Sequence, residues 1–214
     1  NRWEPKSKSL INKNKIMVIG HRGSPLEEPE NTVKSFIKAV QAKIDGVELD
    51  IQLTKDKQLV VFHDLHTYQL NGQYELICNY TLNELQTLKP DIPTFEQALN
   101  IVPINMELHI EIKSENINNT LIIHKVYELI NQHKLNDKVI FSSFNPFVLS
   151  SLKKLNHSIR LGLLWTRCPN EPWFITHYSY YKIKPYSFHA NIDYITPEIA
   201  IWAKQKNMKL YYYT

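Results

Sequence analysis

From Lys15 onward the apolar positions follow two alternating rhythms. Short β-branched runs of strand length occur at Ile16 to Gly20, Gly46 to Leu53, Leu59 to His63, Glu107 to Lys113, Val139 to Phe144, Ile159 to Trp165 and Met208 to Tyr213, with a weaker one near Ile192 to Ile195. Between them lie stretches of helical period. Val33, Phe36, Ile37 and Val40 recur at i, i+3, i+4 and i+7, which predicts a helix after Asn31 with one apolar stripe to pack on a sheet. Thr81 with Glu84 and Thr94 with Gln97 read as capping boxes, while Asn145-Pro146 and Thr196-Pro197 place a cap before a proline at the first helical position. Tyr178 to Lys184, aromatic and basic, reads as a packed loop. This βαβα order predicts one domain over residues 16–214, built on a parallel sheet or barrel, behind a polar, basic N-terminal extension over residues 1–15.

Composition narrows the functional classes. The 214 residues are 43% hydrophobic and 21% charged, enough for one sizeable core and unlike a disordered chain, collagen or a coiled coil. Twenty-five Lys and Arg against 21 Asp and Glu leave a net charge of +4 with no basic block, so charge implies no nucleic-acid partner. No apolar run approaches the ~20 residues that span a bilayer. Cys78 and Cys168 lack the paired spacing of a zinc site or a disulfide framework. The sequons at Asn79, Asn118 and Asn156 are as many as chance supplies. The chain begins at Asn1, which suits the stub left after a removed signal, anchor or boundary; the compartment stays open between the cytoplasm and an exported or anchored location.

The chemistry concentrates at strand ends. In Val47-Glu48-Leu49-Asp50-Ile51-Gln52-Leu53, period two puts Glu48, Asp50 and Gln52 on one face and four aliphatics on the other. In a barrel the aliphatic face meets the outer helices and the polar face looks into the lumen, where neighbouring carboxylates repel unless something neutralises them. The run through Leu108, Ile110 and Ile112 alternates in the same way with His109, Glu111 and Lys113, adding a third acid and a cation. Three carboxylates without a cysteine or histidine cluster suit a hard divalent ion such as Mg²⁺ or Ca²⁺ rather than zinc; salt bridges to Lys113 and Arg22 are the alternative. His21 closes the first strand and His63 the third, where parallel strands end and active sites gather, and a histidine pair supplies one acid and one base.

The ordered set His21-Arg22-Gly23, Pro29-Glu30-Asn31-Thr32, Val47-Glu48-Leu49-Asp50, Thr54-Lys55-Asp56, His63-Asp64, Ile110-Glu111-Ile112-Lys113 and Ser142-Ser143-Phe144 resembles the motifs of the glycerophosphodiester phosphodiesterase family, from about Ile16 to the C-terminus. The resemblance implies a TIM (β/α)8-type barrel of the phospholipase C-like phosphodiesterase superfamily. It also implies one divalent cation, Mg²⁺ or Ca²⁺, and hydrolysis of small glycerophosphodiesters, such as glycerophosphocholine and glycerophosphoethanolamine, to sn-glycerol-3-phosphate and an alcohol. By the same resemblance Glu48, Asp50 and Glu111 match the metal ligands and His21 and His63 the acid-base pair. Arg22 and Lys113 match the phosphate-holding groups; Phe144 and Tyr213 fall at the substrate wall, Tyr213 standing where the family often has a tryptophan. The family's closing helix and strand have no counterpart before Thr214, so the barrel is expected without its last βα segment. Leu65 to Tyr80 is short, implying an open cleft and a small substrate. Two rivals share the motifs: a phospholipase D-like relative that releases a cyclic phosphate from lysolipids or sphingolipids, and a non-catalytic module that binds phosphodiesters. No signal sets the oligomeric state.

Overall fold

A computed structural model describes residues 16–114, 120–167 and 173–214, with side chains in the last stretch from residue 178 onward. The expected extension over residues 1–15 and Cys168 lie outside the described residues. Eight strands form one sheet: β1 Ile19–Gly20, β2 Gly46–Leu53, β3 Leu59–Val61, β4 Glu107–Ile112, β5 Val139–Ser143, β6 Leu161–Trp165, β7 Ser187–Asn191 and β8 Lys209–Tyr213. Seven of them run parallel in the order β1, β2, β4, β5, β6, β7, β8, each reached through a helical crossover, so the fold is a curled TIM-like barrel. Among the described residues no ladder joins β8 to β1. Their upper ends still approach, with the His21 and Tyr213 rings 6.5 Å apart.

Three sequence expectations are corrected. β3 is antiparallel, the return arm of a hairpin on β2, with Leu53 facing Leu59 and Ile51 facing Val61. Five residues connect β2 to β3, too few for the crossover that a parallel strand needs. The turn is tied by Thr54, whose Oγ1 donates to Asp56 and accepts from the Gln58 amide. The seventh strand, β7, is Ser187–Asn191 rather than Ile192 to Ile195: Ser187, Phe188, His189 and Ala190 are buried, and the more β-branched residues after them form the turn into the next helix. Tyr178 to Lys184, read as a loop, falls largely within the helix Trp173–Ile183.

Helix α1, Val33–Gln41, packs on the sheet through Phe36 and Ala39, both essentially inaccessible, while Ile37 of the expected stripe is 36% exposed. Burying the Phe36 ring contributes about 1.5–3 kcal/mol. Both expected capping boxes are present, and Asn145 and Thr196 cap helices that begin at Pro146 and Pro197. Val47, Leu49 and Ile51 from β2 and Leu108, Ile110 and Ile112 from β4 form the centre of the core under these helices. The polar residues that alternate with them are thereby committed to the lumen.

Candidate active site

The site begins with a tight turn after β1. Arg22 adopts φ 59° and Gly23 φ 92°, left-handed values that reverse the chain immediately. A side chain at Gly23 would meet Ser35 Oγ at 2.4 Å. Ser35, on α1, clamps the turn by donating to the Arg22 carbonyl and accepting from the Ser24 amide. With the turn fixed, the Arg22 amide donates to Glu48 Oε2 at 3.0 Å, and the guanidinium Nη1 reaches Glu30 at 2.9 Å. Arg22 Nε lies 3.5 Å from Asp50 Oδ2.

The three acids come together. Parallel pairing sets Asp50 directly beside Glu111 on β2 and β4, a like-charge neighbour pair that an ordinary sheet avoids. One carboxylate oxygen from each of Glu48, Asp50 and Glu111 lies within 4.8 Å of the others. Lys113 Nζ sits against two of them, 2.7 Å from Glu111 and 3.2 Å from Asp50. Asn31, itself at φ 56°, donates from Nδ2 to Asp50 Oδ2 at 2.8 Å.

The electrostatics divide these acids. Burial, then the charges of Asp50 and Glu111, push the Glu48 carboxyl well above the ordinary carboxylate range. Burial and Asp50 push Glu111 up to about 7 against the opposing pull of Lys113. Burial also works against the ionised form of Asp50, but Lys113, His63, Asn31 and Arg22 outweigh it and hold that carboxyl below its usual value. The cluster therefore carries one firm anion and two carboxyls that resist ionisation beside it. That imbalance, two buried acids and a half-buried third with too little positive charge, is what a divalent cation relieves. All the donors are oxygens, and buried Asp50 Oδ1 meets only the Lys113 ammonium, at 3.2 Å, so the set fits a hard cation.

The hairpin delivers His63. Gln52 Nε2 donates to the carbonyls of Phe62 and Asp64, at 2.8 and 2.7 Å, bracketing the histidine from both sides. His63 Nδ1 lies 2.7 Å from Asp64 Oδ1; an ionised carboxylate only accepts, so Nδ1 carries the hydrogen and Nε2 is the free nitrogen. Across the site, burial followed by the charge of Arg22 lowers the His21 pKa, and His63 adds to the same effect.

Aromatic walls complete the arrangement. The Tyr213 hydroxyl donates to the Trp165 carbonyl at 3.0 Å, and burial pushes its pKa up to about 12. Its ring stands edge-on to Phe144, centroids 6.3 Å apart. A cleft of about 560 Å³ runs from His63, Glu111 and Lys113, past Phe144, to Tyr68 and Tyr74. Of the nine residues singled out in the sequence, Glu48, Asp50, Glu111 and Tyr213 lie on strands and His21, Arg22, His63, Lys113 and Phe144 just beyond strand ends; ion pairs, ring contacts and electrostatic interactions connect them. Asn31, Gln52 and Asp64 were missed as site residues. Asn31 and Asp64 stood in quoted motifs and Gln52 on the polar face of β2, but only the fold shows which groups they orient.

The comparisons with known proteins agree with this geometry. The model of the Glycerophosphoryl diester phosphodiesterase family matches residues 21–214. The glycerophosphodiester phosphodiesterase of Caldanaerobacter subterraneus subsp. tengcongensis is 32% identical over 212 residues, which cover 94% of this chain and 86% of the relative. The crystal structure of the Thermotoga maritima glycerophosphodiester phosphodiesterase is 28% identical, with TM-score 0.76 over 94% of this chain and 87% of its own. An Oleispira antarctica phosphodiesterase, solved in complex with the product sn-glycerol-3-phosphate, is also 28% identical, with TM-score 0.79 over 93% of this chain and 84% of its own. The chain belongs to the glycerophosphoryl diester phosphodiesterase family and is an enzyme of that type.

Proposed function

We propose that the protein hydrolyses glycerophosphodiesters, glycerophosphocholine and glycerophosphoethanolamine among them, to sn-glycerol-3-phosphate and an alcohol, with the help of one Mg²⁺ or Ca²⁺. The observation that carries this reading is the trio Glu48, Asp50 and Glu111, with ligand oxygens within 4.8 Å of one another, of which Glu111 lines the same cleft as the His63–Asp64 pair. These three residues would hold the ion. When bound, it supplies Lewis-acid neutralisation of the phosphoryl oxygens. The product complex of the Oleispira antarctica relative supports sn-glycerol-3-phosphate as the product.

The chain's own groups supply the rest. Arg22 and Lys113 bring positive charge to the phosphate, where charge grows as the transition state forms. His63, with Nδ1 committed to Asp64, accepts through Nε2 the proton of the attacking hydroxyl, either from water, which gives sn-glycerol-3-phosphate directly, or from the glycerol moiety, which gives a cyclic phosphate that water then opens to the same product. His21 returns a proton to the leaving alkoxide. Tyr213 walls the glycerol side, and Phe144, edge-on to it, walls the substrate toward the outer cleft.

Release of sn-glycerol-3-phosphate by the parent chain and by His21→Ala and His63→Ala variants tests the assignment. Each variant is expected to lose ~10²–10⁴ in kcat. Near-parental rates in both would remove the acid-base pair from the reading.

A further inference from the structure

The cleft extends beyond the groups that act on the phosphate. Its outer part is built by the loop after His63, which is more ordered than its shortness suggests. Thr67, fully buried, donates from its amide to the Glu75 carbonyl and from Oγ1 to the Gln73 carbonyl. The Ile77 amide donates to the Leu65 carbonyl, and Gly72 at φ 73° ends the short helix Tyr68–Asn71. On this frame Tyr68 and Tyr74 stack with centroids 4.5 Å apart and planes 23° from parallel, and His66 meets Tyr74 edge-on. Both tyrosines line the cleft, yet they are 50% and 77% exposed, so the stack is presented to solvent rather than used as core. Phe144, 45% exposed, lines the same cleft.

We propose that Tyr68, Tyr74 and Phe144 form a leaving-group subsite that selects diesters whose alcohol carries a quaternary ammonium; this rests on the diesterase reading above. Three features set the ligand chemistry. Aromatic faces attract a cation, most effectively one without N–H groups that demand acceptors. The electrostatic setting admits a positive group: among the described residues lining the cleft away from the metal ligands, Asp64 is the one acid and there is no lysine or arginine. A fatty chain is a poor match, because His66, Gln69 and the tyrosine hydroxyls interrupt the rim and Leu65 is its one aliphatic residue outside the strand ends. The loop sits directly beside His63, so an alcohol leaving from the phosphate would be held next to the stack.

The test compares kcat/KM for glycerophosphocholine with that for its neutral carbon isostere, the 3,3-dimethylbutyl ester of glycerol phosphate. The shapes match and only the charge differs. The parent is expected to favour the choline ester by roughly 5- to 30-fold. In Tyr68→Leu and Tyr74→Leu the ratio should fall toward one, whereas Tyr74→Phe should keep it. A parental ratio near one, or leucine variants with the parental ratio, would overturn the subsite. If neither ester is turned over, the diesterase reading fails separately. Binding of choline against 3,3-dimethylbutanol, followed by the ring resonances of Tyr68 and Tyr74 in the parent protein, then decides: choline-selective shifts support the subsite, and equal or absent shifts overturn it.

Discussion

Asp64 takes the Nδ1 hydrogen of His63 at 2.7 Å although the two residues are neighbours in the chain. Had β3 continued to His63, the alternation of a strand would have sent these side chains to opposite faces. The strand instead ends at Val61, and Gln52 holds the irregular backbone on either side of the histidine. The tautomer of His63 is thus set by a break in regular structure.

Asp64→Asn should therefore lower kcat by roughly 10- to 100-fold, the usual effect of losing the partner that orients a histidine. Both side chains are about one-third exposed, so thermal stability should hardly change. Steady-state kinetics beside a melting curve checks both halves, and unchanged kcat would sever the link between Asp64 and His63.

The acid cluster places function against stability. Glu48→Gln removes a carboxyl that burial and two neighbouring acids push up, while its amide oxygen can still accept from Arg22. In chelator the melting temperature should stay level or rise, by up to about 1 kcal/mol of stability. Activity should fall by ~10²-fold or more as the ion site loses a ligand. Calorimetric titration with Mg²⁺ and Ca²⁺ should show weakened binding; parental metal affinity in both Glu48→Gln and Glu111→Gln would argue for a purely structural cluster.

Asn31 is the opposite case. Asn31→Ala deletes the 2.8 Å bond to the buried Asp50 and leaves a non-glycine residue at positive φ without the side chain that tolerates it. A loss of about 1–3 kcal/mol is expected, read as a lower unfolding midpoint in denaturant, together with reduced turnover.

A second polar layer lies deeper in the barrel and titrates separately. Ser187 Oγ is 2.8 Å from His189 Nε2, and the His109 ring is 5.5 Å away. Burial first, and then the charge of His109, lowers the His189 pKa well below its ordinary 6.5. Below that pH the unfolded chain binds a proton that the folded chain refuses. The stability contributed by neutral His189 is thus complete above about pH 6.5, and declines as pH falls by about 1.4 kcal/mol per unit until the folded-state imidazole itself protonates. Unfolding midpoints from pH 7.5 to 5 should show a smaller decline for His189→Gln than for the parent; identical slopes would contradict the assignment.

The sequence made the site more legible than the frame around it. Alternation in β2 and β4 identified the acids because their aliphatic partners really do face the helices. The hairpin was missed because β3 is as β-branched as a parallel strand; only the five-residue connection betrayed its direction. β7 was misplaced because Ser187 and His189 are polar residues turned into the lumen, where alternation hides behind a short strand. The supporting roles of Asn31, Gln52 and Asp64 depend on which backbone atoms fold back toward them. No local pattern carries that information.

The most direct measurement is phosphorus-31 NMR of glycerophosphocholine incubated with the protein in Mg²⁺, in Ca²⁺ and in chelator. Release of sn-glycerol-3-phosphate that requires one of the two ions and stops with chelator is the expected result. Equal release in chelator would contradict the three-carboxylate metal site, and a cyclic phosphate as the final product would contradict hydrolysis to sn-glycerol-3-phosphate.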